Sequence, residues 1–411
     1  MKAYAGIFKD NTVAVLDVAA GRVLSTIPVP AGPHGMAISR DGSRVFVSSD
    51  GSSVVSVIDT RTDKVIDTID VGATPHGVAL SPDGRLLLVA VFDAGIVAFI
   101  DVSSDTVIAR VPIASPHNIA IAPNGNSAYV ASQKSGSAAL VLLDVARRSV
   151  IGNVALDRTP RALNFSPDGH ELLFTVAGSN DVQVLNPLTD QVTGQVSVGA
   201  SPHHPTFTAD GRVALVVSQT TGELSVIRPR DNTIAATISV GKLPHWIATT
   251  SDSSVALVTN EGSNSVDVVD LQTNKIRASI AVGNGPRKVV VQPGSLGPTS
   301  SVALATAPTA IAASTVVATI AAPTTQGATG PTVSVSIAGF AFVPPSLTIT
   351  AGSTVAWNNT DGVPHTVTAA GFGSGDLING ATYRHTFTAA GTYTYRCSIH
   401  PSMTASIIVT G

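Results

Sequence analysis

Three observations predict an all-β protein, a seven-bladed β-propeller followed by a β-sandwich. A unit of about 42 residues recurs seven times. Each unit has room for four short strands, and a second strand-rich segment follows the last unit. Apolar residues make up 44% of the 411 and charged residues only 12%, enough to build a large core. The net charge of −3 carries no basic excess, which argues against nucleic acid as a partner. No run of eighteen apolar residues predicts a membrane span. The opening MKAYAGIFKD reads as a strand, not as the apolar core of an export signal.

The repeat is clearest at GPHGMAIS (32–39), TPHGVALS (74–81), SPHNIAIA (115–122), TPRALNFS (159–166), SPHHPTFT (201–208), LPHWIATT (243–250) and GPRKVVVQ (285–292). The prolines of these stretches stand 42, 41, 44, 42, 42 and 42 residues apart. The first strand of a unit follows the proline. A turn such as Asp83-Gly84 or Asn124-Gly125 comes next, because these residues tolerate the positive φ of a tight hairpin. RLLLVAV (85–91), VVSVID (54–59) and KVIDTIDVG (64–72) exemplify the second, third and fourth strands. Residues 2–30 supply three strands without a first, and residues 286–292 a first without the rest. Together they complete the seventh blade and remove the open edge. These repeats resemble the YVTN family of seven-bladed propellers, over residues 1–295. That implies architecture and leaves function open.

Residues 296–331 are rich in Ala, Thr, Ser and Pro and read as a linker. The third region, 332–411, carries CSIHPSM, a Cys-x2-His-x2-Met loop of Cys397, His400 and Met403. His365 stands 32 residues upstream of the cysteine, in VPHTV. One thiolate, two imidazoles and a thioether are the ligand types of a blue-copper site, with the methionine as the weak axial donor. Zinc could enter such a site, but a single thiolate with methionine favours copper. The segment resembles the cupredoxin family, in particular its plastocyanin and amicyanin branch. The resemblance rests on FVPPSLTITAGSTVAWNN, the PHTV histidine and the terminal loop. It implies a Greek-key β-sandwich with His365, Cys397, His400 and Met403 as type 1 copper ligands. Cys397 is the only cysteine, which excludes a binuclear two-cysteine copper centre and any intramolecular disulfide. Arg396 and Ser398 flank it, so the His-Cys-His bridge of multicopper oxidases is absent as well. His385 reads as an ordinary strand residue.

The residue after each repeat proline is His34, His76, His117, Arg161, His203, His245 and Arg287. Proline suits the first residue of a strand. The strand it opens is the innermost of a blade, so the seven positions encircle the propeller axis at one mouth. Five converging imidazoles would depress one another's pKa and stay neutral, the form that binds metal. The bland alternative is a set of side chains lining a wet channel and bonding to blade carbonyls. On the metal reading Arg161 and Arg287 contact an anion or an oxygenated substrate. His204 is a weak sixth candidate whose alternation points it to the other face.

A propeller followed by a cupredoxin resembles nitrous oxide reductase in architecture. The expected function is a copper-dependent oxidoreductase. The type 1 copper would relay electrons to or from a second metal, expected to be copper, at the histidine ring, where a small molecule reacts. The alternative is a non-catalytic blue-copper electron-transfer protein whose propeller docks a redox partner. Partners are thus a redox protein or a small-molecule substrate. The linker could set the cupredoxin over its own propeller or over a neighbour's, which admits a homo-oligomer with head-to-tail contact. The expected location is periplasmic or extracellular, with the export signal outside this sequence.

Overall fold

The computed structural model describes residues 1–293, 331–338, 341–361, 365–369, 371–375, 377–397 and 403–411. The chain divides into two compact units, Met1–Gly297 and Pro298–Gly411. The stretch read as a linker lies outside the described residues, apart from Pro331. Among the described residues no helix is long and apolar enough to cross a membrane.

The first unit consists of seven four-stranded antiparallel sheets. In blade 1 the strands are Pro33–Ile38, Arg44–Ser49, Val54–Asp59 and Lys64–Asp70, from the axis outward. Blades 2 to 6 repeat the plan, with inner strands Pro75–Leu80, Pro116–Ile121, Pro160–Phe165, Pro202–Phe207 and Pro244–Thr249. Blade 7 joins the two ends of the repeat region. Its inner strand Pro286–Val291 pairs with Lys2–Ile7, which leads into Thr12–Asp17 and Arg22–Pro28. Closure is held by hydrogen bonds from the Phe8 amide to the Gly285 carbonyl (3.0 Å) and from the Asn284 amide to Asp10 Oδ2 (2.8 Å).

Middle strands carry the core. Val55, Val57 and Ile69 of blade 1 pack on Leu87, Val89 and Ala98 of blade 2, all nearly or fully buried. Burial of a Val or Leu side chain stabilises by about 1.5–3 kcal/mol, and every blade interface repeats this arrangement. The turn residues behave as their chemistry demands. Gly42, Gly84, Gly125, Gly169 and Gly211 take φ of +66° to +75° in the first hairpins. Asp63, Asp105, Asp190, Asn232 and Asn274 take about +55° just before the fourth strands. These aspartates also bridge blades, as where Tyr4 Oη donates to Asp63 Oδ1 (2.8 Å).

One turn aims the inner strands. The residue before the repeat proline has positive φ in six blades: Gly32, Thr74, Ser115, Ser201, Leu243 and Gly285. Threonine and leucine adopt that conformation only at a cost. The same bend recurs in six blades directly before the proline, so the fold specifies the entry of every pair except Pro160-Arg161.

The second unit is a two-sheet sandwich. One sheet orders Ala341–Val343, Thr332–Ala338, Thr354–Asn359 and Thr382–Thr386. The other orders Ser346–Thr350, Thr404–Thr410, Gly391–Arg396, Thr368–Ala369 and Phe372–Gly373. Each sheet holds one parallel pair, Thr332–Ala338 with Thr354–Asn359 and Ser346–Thr350 with Thr404–Thr410. Trp357, Phe387 and Tyr395 fill the space between the sheets with Cys397 and Met403 at the same core.

Candidate metal centres

In the second unit the ends of two strands bring the candidate copper ligands together. Cys397 follows the strand Gly391–Arg396, and Met403 precedes Thr404–Thr410; the Cys397 amide donates to the Met403 carbonyl at 2.9 Å. This bond ties together the two strand ends that carry the thiol and the thioether. His365 is fully buried and bridges to Leu377, its amide donating to that carbonyl at 3.0 Å. Its Nδ1 lies 3.8 Å from Cys397 Sγ, while Nε2 lies 2.9 Å from Asp361 Oδ2. Burial alone would lower the His365 pKa, but the Asp361 and Cys397 hydrogen bonds outweigh it and raise the value. The Thr366 amide points at Cys397 Sγ from 3.3 Å, a donor that favours a thiolate there. His365 and Cys397 thus meet in a buried spot, with Nδ1 and not Nε2 turned to the sulfur, and buried Met403 belongs to the same core. This donor set fits a type 1 copper ion. Asp361 supplies the outer partner that fixes the imidazole, as carboxylates do for metal-bound histidines. His400 lies outside the described residues. His385 sits in the strand Thr382–Thr386 and stacks on Phe372, with ring centroids 4.5 Å apart.

In the first unit the five ring histidines converge. Ring centroids are 4.6 Å apart for His34–His76, 4.9 Å for His76–His117 and 4.1 Å for His203–His245. His34 joins the two groups, 6.0 Å from His245. One nitrogen from each of His34, His76 and His117 lies within 4.8 Å of the others. Metal–nitrogen bonds of about 2.0–2.1 Å would draw these imidazoles inward. His117 Nδ1 lies 3.1 Å from the Arg161 carbonyl and His203 Nδ1 2.9 Å from the His245 carbonyl. Donation from His203 Nδ1 leaves its Nε2 as the free lone pair, while His117 Nδ1 also lies 3.0 Å from Asn118 Nδ2. Among the described residues, Nδ1 of His34 and of His76 is buried without a hydrogen-bond partner. Such orphaned nitrogens are rare enough to need a cause.

Glycines draw one side of the ring tight. A Cβ on Gly35 would overlap the His76 carbonyl oxygen, and one on Gly77 would stand 2.7 Å from Asn118 Cα. Only glycine permits inner strands 1, 2 and 3 to approach so closely, which brings His34, His76 and His117 together. In the same slot blades 5 to 7 carry His204, Trp246 and Lys288. His204 stacks on Trp246 at 3.4 Å and its Nδ1 accepts from the Ile247 amide at 3.2 Å. Its ring is therefore engaged with blade 6, in keeping with the alternation of the strand. Arg161 Nη1 donates to Ser201 Oγ (3.0 Å) and Gln219 Oε1 (3.2 Å). Arg287 lies over the Phe8 ring at 3.5 Å and 3.5 Å from Glu261 Oε1.

Comparison with known proteins assigns the two parts. Residues 7–84 match the family model of YNCE-like beta-propellers, and residues 331–410 that of the copper-binding proteins of the plastocyanin/azurin family. Amicyanin-alpha of Methylorubrum extorquens is 35% identical over 119 residues, 26% of this chain and 98% of that protein. The chain belongs to the plastocyanin/azurin family of copper-binding proteins. It does so through its C-terminal cupredoxin unit, joined to a propeller. Amicyanin of Paracoccus denitrificans is 37% identical over 82 residues, 18% of this chain and 63% of that protein. A chain of Kuenenia stuttgartiensis hydrazine synthase shares the fold with TM-score 0.57 and 21% identity, over 64% of this chain and 90% of its own. Dihydro-heme d1 dehydrogenase NirN, in complex with DHE, does so with TM-score 0.53 and 19% identity, over 68% and 63%. These two likenesses concern the fold alone. The cupredoxin unit supports a copper electron-transfer role for the chain.

Burial is the first cause that holds the propeller imidazoles neutral. It lowers His76 and His117 to about 4 and His203 to about 3, and His34 and His245 fall well below 6.5. Neighbouring imidazoles and Arg287 push most of them the same way. The unfolded chain therefore binds protons first as pH falls through 6.5. Stability carried by these groups is intact above 6.5 and is lost on the way down to about 4. Each such histidine costs up to about 1.4 kcal/mol per pH unit in that window. Asp50, raised by burial to about 7, works in the opposite direction between its unfolded value and 7, while His204, also lowered well below 6.5 by burial, adds to the ring's effect. Urea midpoints of the propeller transition are expected to fall steadily from pH 7 to 5; a flat profile would contradict the neutral ring.

Sequence reasoning passed over Asp50, Asp361 and Lys288. Asp50 Oδ2 lies 3.8 Å from His76 Nε2, and its Oδ1 is buried without a partner among the described residues. Lys288 is buried, lowered to about 7 by that burial, with Nζ 4.0 Å from the Trp246 ring centroid. Comparing the residue after each ring position would have exposed the lysine, since the equivalent slots hold Gly35, Gly77, Asn118, Ala162, His204 and Trp246.

Proposed function

We propose that the chain is a copper oxidoreductase in which the cupredoxin unit exchanges single electrons with a second metal centre on the propeller axis. His34, His76 and His117 hold that second metal, and His365, Cys397, His400 and Met403 hold the type 1 copper. The observation that carries the reading is the meeting of three neutral imidazoles from three consecutive blades within 4.8 Å. Two of them keep a buried, unbonded Nδ1. Copper, when bound at such sites, supplies one-electron transfer, and nitrogen donors with open positions suit it at the ring.

The chain's own residues divide the remaining work. His117 is oriented at Nδ1 by the Arg161 carbonyl and by Asn118 Nδ2. Asp50, beside His76, sets a negative charge near the bound cation once deprotonated. His203 and His245 extend the imidazole lining across the mouth, and the Arg161 and Arg287 guanidiniums stand between the two histidine groups. Asp361 holds His365 in the tautomer that leaves Nδ1 for the metal. The reading includes a redox partner protein or a small-molecule substrate, and a periplasmic or extracellular location.

Metal analysis of copper-saturated full-length protein tests it. The expected content is two metal ions per chain, falling to one in His76→Ala with the cupredoxin absorption unchanged. One metal per chain in both proteins would overturn the second centre. It would leave a blue-copper electron-transfer protein whose propeller serves as a docking surface.

A further inference from the structure

A second tier of side chains stands against the ring. In all seven blades the residue after the second strand donates its amide to the carbonyl of the residue before the repeat proline, at 2.8–3.0 Å. In several blades its side chain answers the ring residue it meets. Glu261 pairs with Arg287 at 3.5 Å, and Gln219 Oε1 accepts from Arg161 Nη1 at 3.2 Å. Phe8 is edge-on to His34, with ring centroids 6.3 Å apart, and Phe92 lies 5.3 Å from His76. Asp50 and Glu261 are the only acids at these seven positions. Asp50, anchored to the Gly32 carbonyl at 2.9 Å, brings its carboxylate to His76.

The two nitrogens of His76 have different surroundings. Nε2 lies 3.8 Å from Asp50 Oδ2, whereas Nδ1 is buried with no hydrogen-bond partner among the described residues. A neutral imidazole carries its proton on one nitrogen and its lone pair on the other, and a carboxylate can only accept. Asp50 therefore favours the proton on Nε2. An aspartate χ2 torsion is broad, so 3.8 Å can close to a hydrogen bond at little cost. The lone pair then falls on Nδ1, the buried atom left without a partner. His365 shows the same division, with Nε2 at 2.9 Å from Asp361 Oδ2 and Nδ1 at 3.8 Å from Cys397 Sγ. Asp50 acts from outside the cluster. Among the described residues no carboxylate oxygen joins the His34, His76 and His117 nitrogens within 4.8 Å.

We infer that Asp50 is a positioning residue for the second metal: it holds His76 with the proton on Nε2 and so presents Nδ1 to the ion. This deepens the proposed function and rests on that reading for the ion, while the tautomer can be observed without any metal. An outer carboxylate of this kind is worth about 10–100-fold in metal affinity.

Long-range 1H–15N spectra of the full-length protein with 15N-labelled histidine test the inference, metal-free and zinc-saturated, at pH 8. At that pH Asp50 is ionised, being above the value of about 7 to which burial raises it. The signals lost in His76→Gln identify His76. In both wild-type samples His76 is expected to carry its proton on Nε2, with the Nδ1 signal displaced when zinc is present. Asp50→Leu should mix the two tautomers in the metal-free protein. It should also weaken zinc binding read at His76 about tenfold or more, and Asp50→Glu by less, while the His365 signals titrate as in the wild type. A proton on Nδ1 of wild-type His76, or wild-type zinc affinity in folded Asp50→Leu, would overturn the inference. A lowered unfolding midpoint in metal-free Asp50→Leu with the tautomer unmoved would assign Asp50 to the fold and overturn it too. An Nε2–H tautomer that depends on Asp50, in a protein whose His76 signals ignore zinc, would keep Asp50's hold on His76 and refute the second metal alone.

Discussion

Cys397→Ser is expected to abolish the intense visible absorption of the copper-loaded protein and to leave the propeller unaltered. The thiolate is the donor that gives a blue-copper site its character, and a serine hydroxyl is a hard, weakly binding replacement. Cys397 is fully buried between sheets, with the Thr366 amide at 3.3 Å and His365 Nδ1 at 3.8 Å. Serine is close in size, so the sandwich is expected to persist at a modest cost for a buried hydroxyl. Visible spectroscopy and reversible one-electron voltammetry on the full chain check this. Loss of both signals is the expected result, while any second metal at the ring stays bound. Retention of the blue band in Cys397→Ser would place the chromophore elsewhere.

Gly35→Ala is expected to damage the propeller more than any exposed substitution. A methyl group there overlaps the His76 carbonyl oxygen and stands 2.6 Å from Ser48 Oγ and 2.9 Å from Val78 Cγ2. Ser48 ties this junction, accepting the Gly35 amide at 2.9 Å and donating to the His76 carbonyl. Inner strands 1 and 2 can relieve the overlap only by separating. Overpacking of this kind costs about 1–3 kcal/mol, with the upper end expected where the obstacle is backbone. Separation also widens the His34–His76 pair, so second-metal affinity should fall along with the unfolding midpoint. Unfolding curves with and without copper measure both. Unchanged stability would mean that the strands are not held as closely as the structure has them.

Repetition made the propeller legible in the sequence. Seven prolines at near-constant spacing located the inner strands, and residues 2–30 with 286–292 located the closing blade. The ring followed from the same count, because equivalent positions in a closed array must surround one axis. What repetition could not reveal is what differs between blades. Gly35 and Gly77 tighten one arc, while His204, Trp246 and Lys288 occupy the matching slots in another, and no periodic pattern predicts that contrast. The positive φ at Thr74, Ser115 and Leu243 was equally hidden, since these are not residues that favour it. In the cupredoxin unit the Cys-x2-His-x2-Met spacing identified the loop. Asp361, four residues before His365, carried no signal of its own, because only the fold turns its carboxylate onto Nε2.

A copper oxidoreductase of this design requires a second metal at the propeller ring. A copper-edge anomalous difference map of copper-saturated crystals of the full chain measures it directly. Two peaks per chain are predicted, one beside Cys397 Sγ and one among His34, His76 and His117. A single peak beside Cys397, with the ring bare at saturating copper, would contradict it.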